Sequence, residues 1–343
     1  MNSAILIIYT GGTIGMKQDP VDLTLRPFDF SQILEEVPEL KKFAVRIDSY
    51  TFDPLIDSSD VEPSLWTRLA GLVRNRYDEY DGFVILHGTD TMAYSASALS
   101  FMLEGLTKPV IFTGSQLPIG VPRTDGKENL ISAVEIAAAK DADGHARVPE
   151  VSIFFDTKLM RGNRTSKLSS EDFNAFRSVN YPALAEAGIN IRYNKPVIRY
   201  PARWDQPLTV RGRLDTRVSI LKVHPGITPQ VMRVFLCAPE IRAVIIETYG
   251  SGNAISKSWF TDIIREASAL GKILLNVTQC TAGSVNMDIY ATGKTLKKAG
   301  VVSGYDSTTE AALGKLFVLM GCSDDNGWVK EQLEKDLAGE ITK

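Results

Sequence analysis

ILIIYTGGTIG, Ile5–Gly15, is the stretch whose reading decides the fold. With Ala4 before it, the run Ile5, Leu6, Ile7 and Ile8 is apolar without alternation, the pattern of a strand buried on both faces of a parallel sheet. The run breaks into Thr10-Gly11-Gly12-Thr13-Ile14-Gly15, where glycines let the backbone turn tightly and expose its amides between two threonine hydroxyls. The carboxyl end of a parallel strand is where α/β folds place reactive groups. Two readings of the loop stand at this point: a reactive hydroxyl, or a turn whose threonines serve turn chemistry alone.

Gly82–Met92, GFVILHGTDTM, repeats the arrangement. Phe83–Leu86 predicts a second buried strand and His87-Gly88-Thr89-Asp90-Thr91 a second polar loop. Further strands are predicted at Val45–Leu55, Val110–Thr113 and Val151–Phe155. Helices are predicted around Leu65–Val73, Ala96–Leu103 and Leu130–Ala139, with a short one over Phe30–Leu40. Alternation of this kind predicts a doubly wound, mostly parallel sheet whose strand-to-helix loops share one edge. The TGGT and HGTD loops then face one crevice. Asp57-Ser58-Ser59-Asp60 precedes Pro63 and a helix, and one of these four is enough for a helix cap. Met16–Phe28, polar and interrupted by Pro20 and Pro27, reads as a flap, and Lys158–Tyr181 as irregular. The expected organisation is an N-terminal α/β domain over 1–195, a linker over 196–212 and a smaller C-terminal α/β domain over 213–343. Its strands are expected at Val218–Val223, Ala243–Thr248 and Ile273–Thr278. Ser307 and Glu310 have capping-box spacing for a helix at Thr308–Leu319.

Composition sets outer bounds. The 343 residues are 44% hydrophobic and 23% charged, with net charge −3, and no basic run marks a nucleic-acid surface. Three widely spaced cysteines, Cys237, Cys280 and Cys322, do not make a disulfide framework and fit a reducing compartment. No apolar run reaches the ~18–20 residues of a membrane span, and no signal-peptide pattern opens the chain. The expectation is a soluble, cytoplasmic protein.

The histidines, His87, His145 and His224, are far apart in sequence and none has a following metal-ligand partner at close spacing, which argues against a metal hydrolase. The glycine loop lacks the lysine of a phosphate-binding loop, no GxGxxG opens a helix, and no GxSxG nucleophile elbow is present. A threonine nucleophile remains. Thr13 needs a base to take its proton, and the glycine loop can supply amides to an oxyanion. Thr89 beside Asp90, with Lys167 in the irregular stretch, is a candidate proton relay. Spacing alone does not bring Lys167 to Thr89, and a solvated surface lysine is the competing reading.

YTGGTIG and GFVILHGTDTM resemble the two signature segments of the bacterial-type L-asparaginases. The likeness runs through DSSD, RTSKLSSEDFNAFRSVNYPAL, ETYGSGNA and STTEAAL, almost the whole length, and its DSSD form is similar to the cytoplasmic type I branch. The resemblance implies a two-domain α/β fold, hydrolysis of L-asparagine to L-aspartate and ammonia with preference over glutamine, no cofactor or metal, and a homotetramer built from intimate dimers. It implies Thr13 as the nucleophile that forms an acyl-enzyme. It implies Thr89, Asp90 and Lys167 as a second catalytic set, in which Thr89 positions water or acts as a second nucleophile. Asp57, Ser58 and Ser59 would hold the α-carboxylate and α-amino groups together with Thr89 and Asp90. Tyr290, in NMDIYATG, would take up or relay the Thr13 proton, unless it is a core aromatic. Asn253, in GSGNA, would reach the neighbouring subunit's site.

Two departures stand out. Met16–Phe28 lacks the flap tyrosine of many relatives, which gives Tyr290 more weight. Glu247 stands where effector-binding members carry arginine, and a carboxylate there would repel an amino-acid effector's own carboxylate. Two rival functions remain: an ammonia-releasing tRNA amidotransferase subunit of the same fold, which would carry an extra N-terminal domain, and a non-catalytic asparagine or aspartate sensor.

Overall fold

The unalternated apolar run forms strand β1 (Ala4–Tyr9), and Ile5, Ile7, Ile8 and Tyr9 are fully buried in it. The computed structural model describes residues 3–18, 25–27, 35 and 37–343. They fall into two compact units, Met1–Val210 and Arg211–Lys343.

In the first unit β1 lies inside an eight-stranded sheet. Its other strands are β2 (Arg46–Thr51), β3 (Gly82–Leu86), β4 (Val110–Thr113), β5 (Val151–Phe155), β6 (Lys158–Arg161), β7 (Ala185–Glu186) and β8 (Arg192–Tyr193). The spatial order is β8-β7-β6-β5-β4-β3-β1-β2. Strands β1 to β5 are mutually parallel, and β6 to β8 close the edge antiparallel. Every residue of β3, β4 and β5 is buried, because helices α1 (Pro63–Asn75), α2 (Met92–Met102) and α3 (Gly126–Ala138) supply the crossovers. The chain leaves β1 for β2 on one side and returns to β3 on the other. The switch in strand order therefore falls between β1 and β3, the place where open α/β sheets open a crevice at their carboxyl ends.

Sequence and structure part in several places. Lys158–Arg161, expected to be irregular, is β6, which pairs with β5 through a hairpin. Its two turn residues, Asp156 and Thr157, both have positive φ, 44° and 68°, the conformation of a type I′ turn that Asn-Gly usually announces. Without a glycine the sequence carries no such signal. Helix α3 starts at Gly126, before the Leu130 expected from its apolar face. In the expected linker, Thr209–Val210 pairs with Leu103–Glu104. In the expected flap, Met16–Gln18 pairs antiparallel with Leu25–Pro27; its remainder lies outside the described residues. So does most of the helix expected over Phe30–Leu40, whose far end, Pro38–Lys42, is a 3-10 turn.

The second unit is a four-stranded parallel sheet in simple order, β9 (Val218–Lys222), β10 (Ala243–Thr248), β11 (Ile273–Thr278) and β12 (Val302–Ser303). Side-chain alternation splits its core in two. Val244, Ile246 and Leu274 pack on α4 (Pro229–Cys237) and α5 (Ser258–Ala269), while Ala243, Ile245, Ile273 and Leu275 pack on α7 (Thr309–Cys322) and α8 (Asn326–Leu333). Helix α6 (Ala291–Lys298) precedes β12. The cap of α7 is Thr308, whose hydroxyl accepts from the Ala311 amide, one residue later than the Ser307 cap read from the sequence. Lys315 of α7 is buried and donates to Glu340 Oε1 at 2.6 Å and to the Leu333 and Lys335 carbonyls. Glu340, fully buried, also accepts from the Leu337 and Ala338 amides.

A second buried ion pair braces the large sheet. Arg161 on β6 donates to both carboxylate oxygens of Glu150, at 2.5 and 3.1 Å, and to the Val197 carbonyl. Its guanidinium lies 4.4 Å from the Tyr181 ring centroid. Removing the carboxylate with Glu150→Ala strands a buried guanidinium, and urea unfolding should register a loss of about 3–5 kcal/mol. Arg203→Ala, which breaks an exposed pair with Asp205, should shift stability by less than about 1 kcal/mol.

Candidate active site

Three loops at the carboxyl ends of β1, β2 and β3 meet backbone to backbone. A Cβ on Gly11 would sit 2.2 Å from the Ile56 carbonyl oxygen, one on Gly12 2.6 Å from Gly88 Cα, and one on Gly88 2.4 Å from Ser58 Oγ. Gly11 and Gly12 also have φ of 135° and 94°, which side chains disfavour. Thr10 ties the loops at their roots: its amide and hydroxyl both donate to the Leu86 carbonyl at 3.0 Å, and its carbonyl accepts from Ile56 N at 2.8 Å. Thr13, Ser58 and Thr89 are therefore brought together by contacts that admit only glycine.

Thr13 opens a 3-10 turn, Thr13–Gly15, and is half-buried. Asp57 accepts from both the amide and the hydroxyl of Ser59 at 2.9 Å. These bonds, the amide's first, lower its carboxyl pKa, so it stays anionic. Ser58 is buried; its hydroxyl accepts from Asp90 N at 3.4 Å and its carbonyl from Thr91 Oγ1 at 2.7 Å. The DSSD segment thus does more than cap a helix: it is bonded to the HGTD loop.

Lys167 reaches across 78 residues of sequence. Its Nζ donates to Thr89 Oγ1 at 2.8 Å and to Asp90 Oδ1 at 2.7 Å, and its side chain is 17% exposed. The surface-lysine reading is set aside by that geometry. The two-residue ladder Ser166–Lys167 with Phe176–Arg177 holds the lysine in place.

Gln116, after β4, is a residue the sequence reading passed over. Its Nε2 donates to the Ser170 and Asp172 carbonyls at 3.2 and 3.1 Å, which fixes the amide's orientation and turns Oε1 toward Thr89 Oγ1 at 3.5 Å. Asp125 accepts from the Gln116 and Leu117 amides, and Asn129 donates to the Gly114 carbonyl and Asp125. Position at the end of the third central strand was the only signal available.

His87 stands behind the site, buried. Its Nδ1 is 2.7 Å from the Gly88 carbonyl and its Nε2 3.0 Å from Ser95 Oγ, which accepts from Trp66 Nε1 at 2.8 Å. A carbonyl only accepts, so Nδ1 carries the proton and Nε2 accepts from Ser95. His145 stacks on Trp204 at 4.2 Å. Donor atoms of Asp141, Asp143 and His145 lie within 4.8 Å of one another, a grouping that forward spacing from each histidine did not reveal. That loop precedes β5 and so lies at the sheet's opposite edge.

Tyr290 and Asn253 belong to the second unit. Asn253 follows β10, and its Oδ1 accepts from Ala254 N and from Thr292 Oγ1 in the first turn of α6. Tyr290 precedes α6 and is 49% exposed, not a core aromatic. Glu247 accepts from Thr309 Oγ1 at 2.7 Å and lies 3.8 Å from Lys222 Nζ.

The fold and this set define a two-unit α/β protein that gathers threonine hydroxyls, a lysine and carboxylates at a sheet switch point. Comparison with known proteins identifies the family. Residues 4–199 match the family model "Asparaginase, N-terminal" and residues 217–333 the "Glutaminase/Asparaginase C-terminal domain". The chain is 43% identical to L-asparaginase 1 of Escherichia coli K12 over 352 residues, covering 99% of this chain and 98% of that relative. It is 40% identical to a mouse 60 kDa lysophospholipase, of which it spans 62%. The crystal structure of L-asparaginase I from Vibrio cholerae superposes with a TM-score of 0.90 at 41% identity, each chain covered in full. The chain belongs to the asparaginase family.

Burial pushes the His87 pKa down from 6.5 to about 4. Between those values the unfolded chain binds a proton that the folded one does not, so stability falls as pH drops through the window. The loss amounts to about 3 kcal/mol at ~1.4 kcal/mol per pH unit. Urea unfolding at pH 7, 5 and 4 should show that slope in wild type and a shallower one in His87→Asn.

Proposed function

We propose that this protein is an L-asparaginase that hydrolyses L-asparagine to L-aspartate and ammonia through a threonine acyl-enzyme. The observation that carries the reading is Lys167 Nζ bonded to both Thr89 and Asp90, in the same loop cluster as Thr13. Those distances are within proton-transfer reach. No cofactor enters the reaction.

In this reading Asp57, Ser58 and Ser59, with Thr89 and Asp90, hold the α-amino and α-carboxylate groups. Asp57, kept anionic by Ser59, pairs with the ammonium, and the hydroxyls and amides of the loop bind the carboxylate. Thr13 Oγ1 attacks the side-chain carbonyl carbon. The C–N bond breaks, the nitrogen gains a proton and leaves as ammonia, and an ester to Thr13 remains. Tyr290 is the group assigned to take up and pass on the Thr13 proton. Water then attacks the ester, oriented by Thr89. Lys167 Nζ serves as the base that takes the proton, and Asp90 holds the resulting charge. The ester C–O bond then breaks, the proton held by Lys167 is passed to Thr13 Oγ1, the new carboxyl group loses its own proton to solvent, and aspartate departs with Thr13 restored.

Asn253 is assigned to the neighbouring subunit's site in a homotetramer of intimate dimers, and the protein to the cytoplasm. Among the described residues no helix is long and apolar enough to cross a membrane. Glu247, engaged by Thr309 and near Lys222, supports saturation without an amino-acid effector.

Ammonia release tests the reading. Wild type should hydrolyse asparagine faster than glutamine by about 10–200-fold in kcat/KM, the range one methylene supplies. Lys167→Met should lower kcat by roughly 10²–10⁴-fold, and Thr13→Ala should abolish turnover while the protein still binds aspartate. No release from either amide by folded tetramer would move the assignment to the sensor or amidotransferase reading. The asparagine saturation curve should be hyperbolic; sigmoidal saturation would show that Glu247 does not exclude an effector.

A further inference from the structure

The end of β1 holds a buried phenol that the proposed reaction does not use. Tyr9 is 0% exposed, and its Oη donates to the Gly12 carbonyl at 3.3 Å. The same carbonyl accepts from Gly15 N at 3.4 Å, which closes the 3-10 turn. Gly15 has its own reason to be glycine: a Cβ there would lie 2.2 Å from both Cζ and Oη of Tyr9. The turn is thus wrapped around the phenol, with the ring taking the space of a side chain at Gly15 and the hydroxyl gripping Gly12.

The gripped carbonyl belongs to the peptide that joins Gly12 to Thr13. A peptide unit is planar and rotates as one body. Fixing its oxygen fixes the opposite N–H, that of Thr13, and the place of Thr13 Cα, while the 3-10 turn holds the backbone rotation that directs the Thr13 side chain. Gly12, at φ 94°, gives that plane little restraint of its own. Burial raises the Tyr9 pKa to about 12, which keeps the hydroxyl protonated as a donor at any pH the enzyme meets.

We propose that Tyr9 is a positioning residue for the nucleophile: its hydroxyl sets the Gly12–Thr13 peptide plane and with it the aim of the Thr13 hydroxyl and amide. The proposal rests on Thr13 being the nucleophile. Because Tyr9 acts through the backbone of Thr13 and not on the substrate, its loss should appear in kcat and leave KM nearly unchanged.

The test compares Tyr9→Phe with Tyr77→Phe. Tyr77 is a second buried tyrosine, bonded to Thr107, away from the loop cluster. Tyr9→Phe should lower kcat for asparagine about tenfold, the rate equivalent of one neutral hydrogen bond, with KM within about twofold of wild type. Tyr77→Phe should lose comparable thermal stability and keep wild-type kcat. Genetically encoded 4-aminophenylalanine at position 9 returns a donor to the same place and should recover most of the lost rate, which also serves if the Phe variant folds poorly. Tyr9→Phe with wild-type kcat, a change confined to KM, or no recovery with the amino analogue would each overturn the proposal. Asparagine turnover by the Thr13→Ala variant would instead overturn the nucleophile assignment, and this inference with it.

Discussion

The site depends on contact between backbones. Where the glycine loop of β1 crosses the loop of β3, Gly12 lies so close to Gly88 that a single methyl group would force them apart. Gly11 stands in the same relation to Ile56, and Gly88 leaves room for the Ser58 side chain. The glycine-loop contacts are short, made by main chain, and anchored on the end of a buried parallel strand. They set the spacing of Thr13, Ser58 and Thr89 with the rigidity of the sheet. A site assembled by side-chain contacts alone would inherit rotamer freedom that this one lacks.

Around that junction, each polar group is held by another polar group behind it. Asp125 and Asn129 organise the backbone at Gly114–Leu117, Gln116 links that segment to the carbonyls of Ser170 and Asp172, and Lys167 returns to Thr89 and Asp90. The Glu150–Arg161 pair lies farther back, at the root of the hairpin that leads to the lysine. The arrangement suits a reaction in which charge develops and a proton moves. Dipoles and charges already in place need not reorganise when the barrier is crossed.

How much of this was legible in the sequence follows from how local each feature is. The central strands were readable because burial on both faces leaves an unbroken apolar run, and their loops were readable because glycine and threonine cluster where those runs stop. The β5–β6 hairpin was not, since Asp156 and Thr157 adopt the turn without a glycine. Thr308 and Ser307 are both competent caps, and only backbone geometry chooses Thr308. The partnership of Lys167 with Thr89 spans 78 positions and has no periodic signature; family likeness pointed to it, not spacing. Gln116 had neither kind of signal, because its role comes from where β4 ends relative to its neighbours.

The far end of the chain has a consequence of another kind. Lys315 is sealed inside the second unit by Glu340, and Thr342 N donates to Asp306 Oδ1. Gly339–Ile341 are thus part of the interior, while Thr342 and Lys343 are exposed. A carboxyl-terminal nick before Glu340 would remove an anion from a site that water cannot readily refill, leaving an ammonium among carbonyls alone. Cleavage on the far side of Ile341 would leave that seal closed, whereas cleavage before Glu340 would open it.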